Sequence, residues 1–558
     1  MELLHGTKAI NEARRIIRHS QSIPMINVDP MARDGHAPKL ITISTAEETI
    51  LLTPARTPEL SDLFAEFELF GAYKAKELHK ILIKFCHHAP KRWACLYLTE
   101  QLIQNGLGVE TSIEAVANRY GFNDLPDPTT GFEELIAYNQ MLAQIVEKQI
   151  GALRTNQLNL VSKIEASAIA AIASMEIHGM PFNSEMWETL AQRNETQQKT
   201  LYSQIANHLS EKASQQKLGE MDTHVDIDSD KELKSLLAQL GFEVPNLQKS
   251  TLSTLPEPLG PWFKEYSELG KLVSTYGKSF LKYVGDDGRI HPTFEQIGAG
   301  SGRMACHSPN LQAMVKSQEH RACFCTDENR TLISADYAAC ELRILAEMSR
   351  DPFFLQAFEK GEDLHARVAS EIFQKTVSKT ENPELRHKAK SINFGLAYGM
   401  GPAGLARTLD ISKHAAEDLL NKHFEKFPRV KSFLEDNAQH SLQRGFAQTL
   451  SGRRLAISSE QMIDNRNAAL RLAKNMPIQG TNADITKIAL ATIAQGLEQY
   501  DNAFLVNAVH DEIVVECEEN QAEEVGKFIK KSMMDAGAEL LKEVILEVDV
   551  EESRIWTK

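Results

Sequence analysis

The sequence predicts a multidomain α/β protein, on three observations. At 558 residues and 42% apolar composition the chain can bury several cores, enough for three or four units at roughly 100 to 200 residues each. Residues 24–53 read as two β-rich runs about a Gly/Pro turn, with helical patterns from about 58 to 150. Further along, two short apolar strands each lead into an aspartate, and long helical patterns lie between them.

The elements follow in order. Residues 24–150 form one α/β unit. From about 151 to 218 the apolar residues recur at helical spacing, through LVSKIEASAIAAIASMEIHGM, and Gly179 and Pro181 close one helix. After a polar segment at 219–230 a second helical region, ELKSLLAQLGF and then WFKEYSELGKLVSTYGKSFLKYV, runs to the turn signal Gly285-Asp286-Asp287-Gly288. No fixed-period repeat or low-complexity tract is visible, which disfavours solenoids and disordered tails.

No run of about 18 apolar residues occurs and the N-terminus has no secretory pattern, so the expectation is a cytoplasmic protein without a membrane partner. Seven cysteines are an odd number, and Cys323 and Cys325 have no second pair at zinc-finger spacing. They are expected as buried hydrophobes. The net charge of -15 by itself argues against nucleic acid. Its distribution argues the other way: residues 386–407 and 466–474 carry Lys and Arg with no acid, local basic surfaces on an acidic body.

The chemistry begins at two strands. In TLISADYAACELRILAEMSRD the apolar run Leu332 to Ala335 enters Asp336 and then a helical pattern. In AFLVNAVHDEIVVECE the runs Phe504 to Val509 and Ile513 to Val515 flank His510-Asp511-Glu512, a hairpin with its acids at the tip. Taken singly, each acid reads as ordinary turn or cap chemistry. Two carboxylates brought together repel unless cations hold them, and Mg²⁺ prefers a few carboxylates plus substrate phosphates. Paired aspartates at strand ends therefore suit a two-metal site for nucleotidyl transfer.

Between them, Arg386, Lys390, Phe394 and Tyr398 recur every fourth residue and form one slowly turning stripe on a helix. Two cations followed by two aromatics would let a nucleotide lie lengthwise, triphosphate against the cations and sugar and base against the rings. No acid follows Arg386 in this segment to neutralise it. No GxxxxGK[ST] occurs, which removes the main support for an ATPase.

DYAACELR, RHKAKSINFGLAYG and VHDEIVVE resemble motifs A, B and C of family A DNA polymerases, in order and at fitting separations. SGRMACHSPNLQ, GEDLHARVASEIF, TLSGRR and NMPIQGTNADITK resemble further segments of that family, and the likeness runs from about 155 to the C-terminus. It implies a right-hand fold of palm, fingers and thumb, with primer-template DNA and deoxynucleoside triphosphates as partners. The expected division is 151–285 thumb, 286–350 and 455–558 palm, and 351–454 fingers. Asp336 and Asp511 would hold two Mg²⁺ ions, with Mn²⁺ as a substitute, helped by the carbonyl of Tyr337. Glu512 would be an accessory carboxylate, and His510 would lie near the primer terminus. Arg386, Lys390 and His365 would meet the nucleotide phosphates, and Lys390 could give a proton to the leaving pyrophosphate. Phe394 would pack on the deoxyribose, Tyr398 near the templating base, and Glu341 beneath the sugar's 2′ position. Arg303, Asn310, Gln312, Arg471 and Gln479 would line the duplex.

The chain departs from the family at Ala338, Ala339 and Cys340, where Ser, Gln and Ile are usual, and at His387 in place of a second Arg. Residues 1–150 look like a reduced 3′-to-5′ exonuclease domain of ribonuclease-H-like type. Its metal-binding acids are missing: Asp29-Pro30-Met31 lacks the glutamate, Lys74, Leu78 and Cys95 stand at other expected polar or acidic positions, and Tyr138 has Leu142 four residues on. The expectation is no nuclease activity there, and no 5′ nuclease ahead of it. A DNA-binding protein that has lost its chemistry and an RNA-synthesising polymerase are the competing readings. The intact Asp336, Asp511, Lys390 and Arg386 argue against the first, and Glu341 and the second motif against the other.

Overall fold

The structure is a computed structural model that describes residues 4–29, 36–54, 59–215, 225–397 and 399–557. Its contacts divide the chain into two compact units. One comprises Met1–Gly179, Pro292–Ala313 and Glu328–Ser553, the other Met180–His291, Met314–Asp327 and Arg554–Lys558.

The first unit opens with α1 (Gly6–His19), which buries the stripe Ala9, Ala13, Ile16 and Ile17. Five strands follow, β1 (Met25–Val28), β2 (Ile41–Ser44), β3 (Thr49–Leu52), β4 (Leu69–Ala72) and β5 (Arg92–Cys95), in the order β3-β2-β1-β4-β5. β1, β2 and β3 pair antiparallel, while β4 is parallel to both β1 and β5. The second expected β run is thus two strands. It folds back where Thr45 N donates to Glu48 O at 2.8 Å and the Thr45 hydroxyl accepts from the amides of Glu47 and Glu48. The helices α2 (Ala75–Cys86) and α3 (Phe132–Thr155) contribute to the cores beside this sheet.

Residue 150, the expected end of the N-terminal domain, lies inside α3, and the two compact units divide at Gly179. The reason is α4 (Asn159–His178), whose small and apolar residues are buried nearly all round, from Val161 and Ile164 to Ala173 and Met175. A helix apolar on more than one face must pack on two neighbours, and α4 packs on both α2 and α11 (Arg466–Leu497).

The second unit is built on two long helices packed against each other, α5 (Ser184–Gln215) and α6 (Leu259–Tyr276). Near the start of α5, fully buried Trp187 stacks on Phe280 with ring centroids 4.5 Å apart.

The second sheet, in the first unit, consists of β6 (Arg330–Tyr337), β7 (Phe504–Val509), β8 (Glu512–Glu518) and β9 (Val548–Ser553), in the order β7-β8-β6-β9 and antiparallel throughout. β6 and β8 are buried along almost their whole length because helices cover them, α12 (Ala522–Leu540) against both. Among the described residues no helix is long and apolar enough to cross a membrane. All seven cysteines carry free thiols, five of them buried.

Candidate active site

Strand register brings the two aspartates together. On β6, Asp336 pairs across to Glu512, the first residue of β8. Val509 also pairs with Glu512, so only His510 and Asp511 remain to form the hairpin turn. His510 takes the left-handed conformation, φ 58°, that such two-residue turns require at their first position. Asp511 is thereby held beside the end of β6. Glu512, expected at the tip with Asp511, is instead a buried strand residue. Tyr337, next to Asp336, is buried and its hydroxyl donates to the carbonyl of Met533 at 2.8 Å, which ties this strand end to α12.

After β6 the chain turns through Ala339, left-handed at φ 55°, into α7 (Cys340–Ser349). Glu341 lies in the first turn of α7, where the helix dipole favours a negative charge. Its buried carboxylate accepts a hydrogen bond from Arg303 at 2.8 Å. Cys340 is fully buried and its thiol donates to Asn482 Oδ1 on α11 at 3.1 Å.

Burial, and then the negative charges of Glu341 and Asp336, push the Asp511 carboxyl up to about 7, with Arg303 pulling weakly the other way. Three acids thus share one patch with one neighbouring guanidinium. Such a set is stable as anions when a divalent cation lies among it, and carboxylate oxygens are the ligand type that Mg²⁺ takes.

The stripe residues Arg386, Lys390 and Phe394 lie on α9 (Pro383–Ala397), which packs on α7 and on α8 (Leu364–Phe373). Lys390 Nζ lies 5.9 Å from the centre of the Phe394 ring, and the His365 ring is 5.5 Å from it. Arg386 is not left unpaired by its sequence neighbours: Asp363, the residue capping α8, accepts from Arg386 Nε at 2.7 Å. The segment holds no acid of its own after Arg386, but the adjoining helix supplies one. Tyr398 lies outside the described residues.

Arg303, Gln312 and His510 line one cleft together with Asn482, Thr486 and Lys487. Gln312 donates to the carbonyl of Ala508 on β7 at 3.3 Å, and the Asn310 side chain accepts from the amide of Ala313. Arg471 and Gln479 lie on α11, Arg471 exposed and Gln479 half-buried.

Beneath the cleft lies a buried ionic network that sequence reasoning missed. Arg453 donates to Asp484 at 2.6 Å and to Glu165 at 2.5 Å, and Lys487 donates to Glu165 at 2.5 Å and to the carbonyl of Gly302 at 2.7 Å. Gly302 has φ 88°, and a Cβ there would meet the Arg453 guanidinium at 2.5 Å. Glycine is therefore required, and the network fixes the loop that presents Arg303. A signal was present in ordinary helical patterns: Glu165, Asp484 and Lys487 stand at apolar-facing positions of α4 and α11.

In the N-terminal region, Leu78, Cys95 and Leu142, which stand where the sequence reading expects acids, are built into the apolar cores. Lys74 Nζ lies 5.4 Å over the Tyr97 ring. The carboxylate of Asp29 accepts from the amides of Lys39 and Leu40 at 2.7 and 3.0 Å, a structural use. Pro30 and Met31 lie outside the described residues.

The family model described as DNA polymerase family A matches residues 191–558. DNA polymerase I of Aquifex aeolicus (strain VF5) is 34% identical over 418 residues, 71% of this chain and 67% of that protein. DNA polymerase I of Lactococcus lactis subsp. cremoris (strain MG1363) is 31% identical over 452 residues, 77% of this chain and 50% of that protein. The chain spans about half the length of the Lactococcus relatives. The solved POL domain of Pol1 from M. smegmatis, in complex with DNA primer-template and dNTP, superposes with a TM-score of 0.82 at 26% identity, covering 100% of this chain and 99% of that one.

Proposed function

Because the chain belongs to DNA polymerase family A, with the polymerase fold preceded by an α/β domain, we propose that it extends the 3′ end of a DNA primer along a template. The primer 3′ oxygen attacks the α-phosphorus of a deoxynucleoside triphosphate, a new phosphodiester bond forms, and pyrophosphate leaves. The observation that carries the reading is the register that pairs Asp336 with Glu512 and so holds Asp511 beside Asp336.

Asp336 and Asp511, with the carbonyl of Tyr337, would hold two Mg²⁺ ions. Bound there, Mg²⁺ supplies activation of the attacking oxygen and neutralises charge at the departing pyrophosphate. The protein supplies placement. Arg386, Lys390 and His365 receive the triphosphate, and Lys390 is the proton donor to pyrophosphate. Phe394 packs on the sugar, and Glu341, held by Arg303, leaves no room for a 2′-hydroxyl. Arg303, Gln312 and His510 lie along the cleft that would take the primer terminus, with Asn310, Arg471 and Gln479 along the duplex. A cytoplasmic location belongs to the same reading.

Primer extension with Mg²⁺ and four dNTPs tests it. Wild type should extend, chelation should stop extension, and renewed Mg²⁺ should restore it. Asp336→Ala or Asp511→Ala should lower the rate by about 10³-fold or more. An inactive wild type, or a fully active Asp336→Ala, sinks the proposal.

The N-terminal domain is proposed to lack proofreading, because the positions of its missing acids are filled by core side chains. A labelled, mismatched primer end should persist in Mg²⁺ without dNTPs. Rapid shortening would overturn this.

A further inference from the structure

A hydrogen-bonded chain of three side chains runs through the helices around the nucleotide stripe. On α10 (Lys413–Lys426), His423 places Nε2 at 3.3 Å from Oδ1 of Asn393 on α9, and Nδ2 of Asn393 lies 3.2 Å from Nδ1 of His365 on α8. His423 is 0% exposed, Asn393 1% and His365 9%. Around His423 stand Phe354, Phe424 and Phe427, with the Phe427 ring centre 4.7 Å away.

The direction of this chain follows from what His423 lacks. Its Nδ1 is buried with no hydrogen-bond partner among the described residues. If the Asn393 amide were reversed, His423 would have to accept at Nε2 and carry its proton on Nδ1, a buried N–H with no acceptor. Leaving a donor unpaired in the interior is costly, whereas a bare acceptor nitrogen is better tolerated. His423 therefore donates from Nε2, Asn393 accepts at Oδ1 and donates from Nδ2, and His365 accepts at Nδ1. A neutral His365 must then carry its proton on Nε2. Both rings stay neutral at ordinary pH, since burial pushes His423 down to about 3 and His365 down to about 4.

We infer that Asn393 and His423 are positioning residues that hold His365 as a neutral Nε2–H donor for the phosphates of the incoming nucleotide. The inference rests on the polymerase reading and deepens it. His423 touches no substrate; it acts through Asn393, by denying His365 the other tautomer. A phosphate oxygen accepts from Nε2–H and would repel the lone pair that the other tautomer places there, so the relay decides whether His365 helps or hinders nucleotide binding.

Single-turnover incorporation of one nucleotide by the full chain, with primer-template DNA, dNTP and Mg²⁺, tests this. His423→Phe keeps an aromatic ring and removes the donor. It should weaken the apparent dNTP affinity about five- to tenfold, with maximal rate and DNA affinity changed less than about twofold. In a His365→Ala background it should have no further effect. His423→Gln, which can still donate to Asn393, should recover most of the affinity and serves as a second variant where Phe disturbs folding.

Asn393→Asp accepts at both ends and so forces the proton of His365 onto Nδ1. The new carboxylate favours a charged imidazole beside it, so the affinity loss should be large at pH 8 and shrink toward pH 6, as His365 takes a second proton and regains Nε2–H; wild-type His365, pushed down to about 4, lacks this recovery. The charged groups facing His365 are Asp363 of its own helix and Arg386 and Lys390 of α9. His423 is the other imidazole, and in wild type burial holds it neutral well below that window. Equal effects of His423→Phe with and without His365, or Asn393→Asp without the recovery, overturn the inference alone. A wild type that incorporates nothing overturns the polymerase reading and this inference with it.

Discussion

Arg303 donates from its guanidinium to the buried carboxylate of Glu341 at 2.8 Å, joining a loop to the first turn of α7 beside Asp336 and Asp511. Glu341 thus has two consequences in one side chain, filling space near the proposed sugar position and fixing Arg303 along the cleft. Glu341→Ala should raise ribonucleotide incorporation relative to deoxynucleotide by about tenfold or more. It should also weaken primer-terminus binding, because Arg303 loses its anchor. Glu341→Gln should keep the exclusion. Competition between rNTP and dNTP on one template reads this, and unchanged selectivity in Glu341→Ala would refute the assignment.

Asp363 and a triphosphate would compete for the same guanidinium. Asn at position 363 keeps the cap that accepts from the Ala366 amide and removes the charge that holds Arg386. Asp363→Asn should therefore lower KM for dNTP about two- to fivefold at low salt, as a partly exposed ion pair of up to about 1 kcal/mol is given up. The effect should fade as salt rises. A raised KM would mean that Asp363 instead orients Arg386 for its ligand.

The network of Glu165, Arg453, Asp484 and Lys487 is buried throughout. Burial works against the Glu165 carboxylate, but Lys487 and Arg453 hold it below the ordinary range. Glu165→Leu leaves two buried cations short of a partner and should cost about 3–5 kcal/mol of stability. The Gly302–Arg303 loop should loosen with it, because Lys487 donates to both Glu165 and Gly302. Denaturant unfolding and primer-terminus affinity should fall together. A variant as stable as wild type would show that the charges are individually dispensable.

His79 gives the N-terminal domain a pH dependence. Trp93 donates from Nε1 to His79 Nδ1 at 3.1 Å, and burial pushes the imidazole down to about 4. Between about pH 6.5 and 4 the unfolded chain binds this proton and the folded chain does not. Stability therefore falls as pH drops through that window, by up to about 1.4 kcal/mol per pH unit. His79→Phe should flatten this slope while costing about 1–3 kcal/mol at pH 7 through the unpaired Trp93 N–H. Thermal unfolding at pH 5 and pH 7 tests it, and the same pH difference in both proteins would exclude His79 as its source.

Much of the site was readable along the chain. An apolar strand ending in an acid, and a hairpin with acids at its turn, are patterns of neighbouring residues, and Asp336 and Asp511 stand where those patterns placed them. The turn itself proved tighter than the pattern suggested: strand pairing continues through Glu512, so the turn consists of His510 and Asp511. The stripe of Arg386, Lys390 and Phe394 was likewise legible because a helix repeats every 3.6 residues. That the first compact unit runs on to Gly179 was not, since α4 looks like any helix until both of its buried faces are seen.

The sequence by itself determined the kinds of element, the order of the acid-bearing strands and the helix of cations and aromatics, because backbone periodicity and turn geometry are set by residues close along the chain. Only the tertiary structure decided which charges meet. Asp363 answers Arg386 from another helix, Glu341 answers Arg303 from another segment, and Asn393 stands between two histidines of different helices. A buried charge or donor needs a partner within hydrogen-bond reach, and the chain brings that partner through space, from positions that no local spacing records.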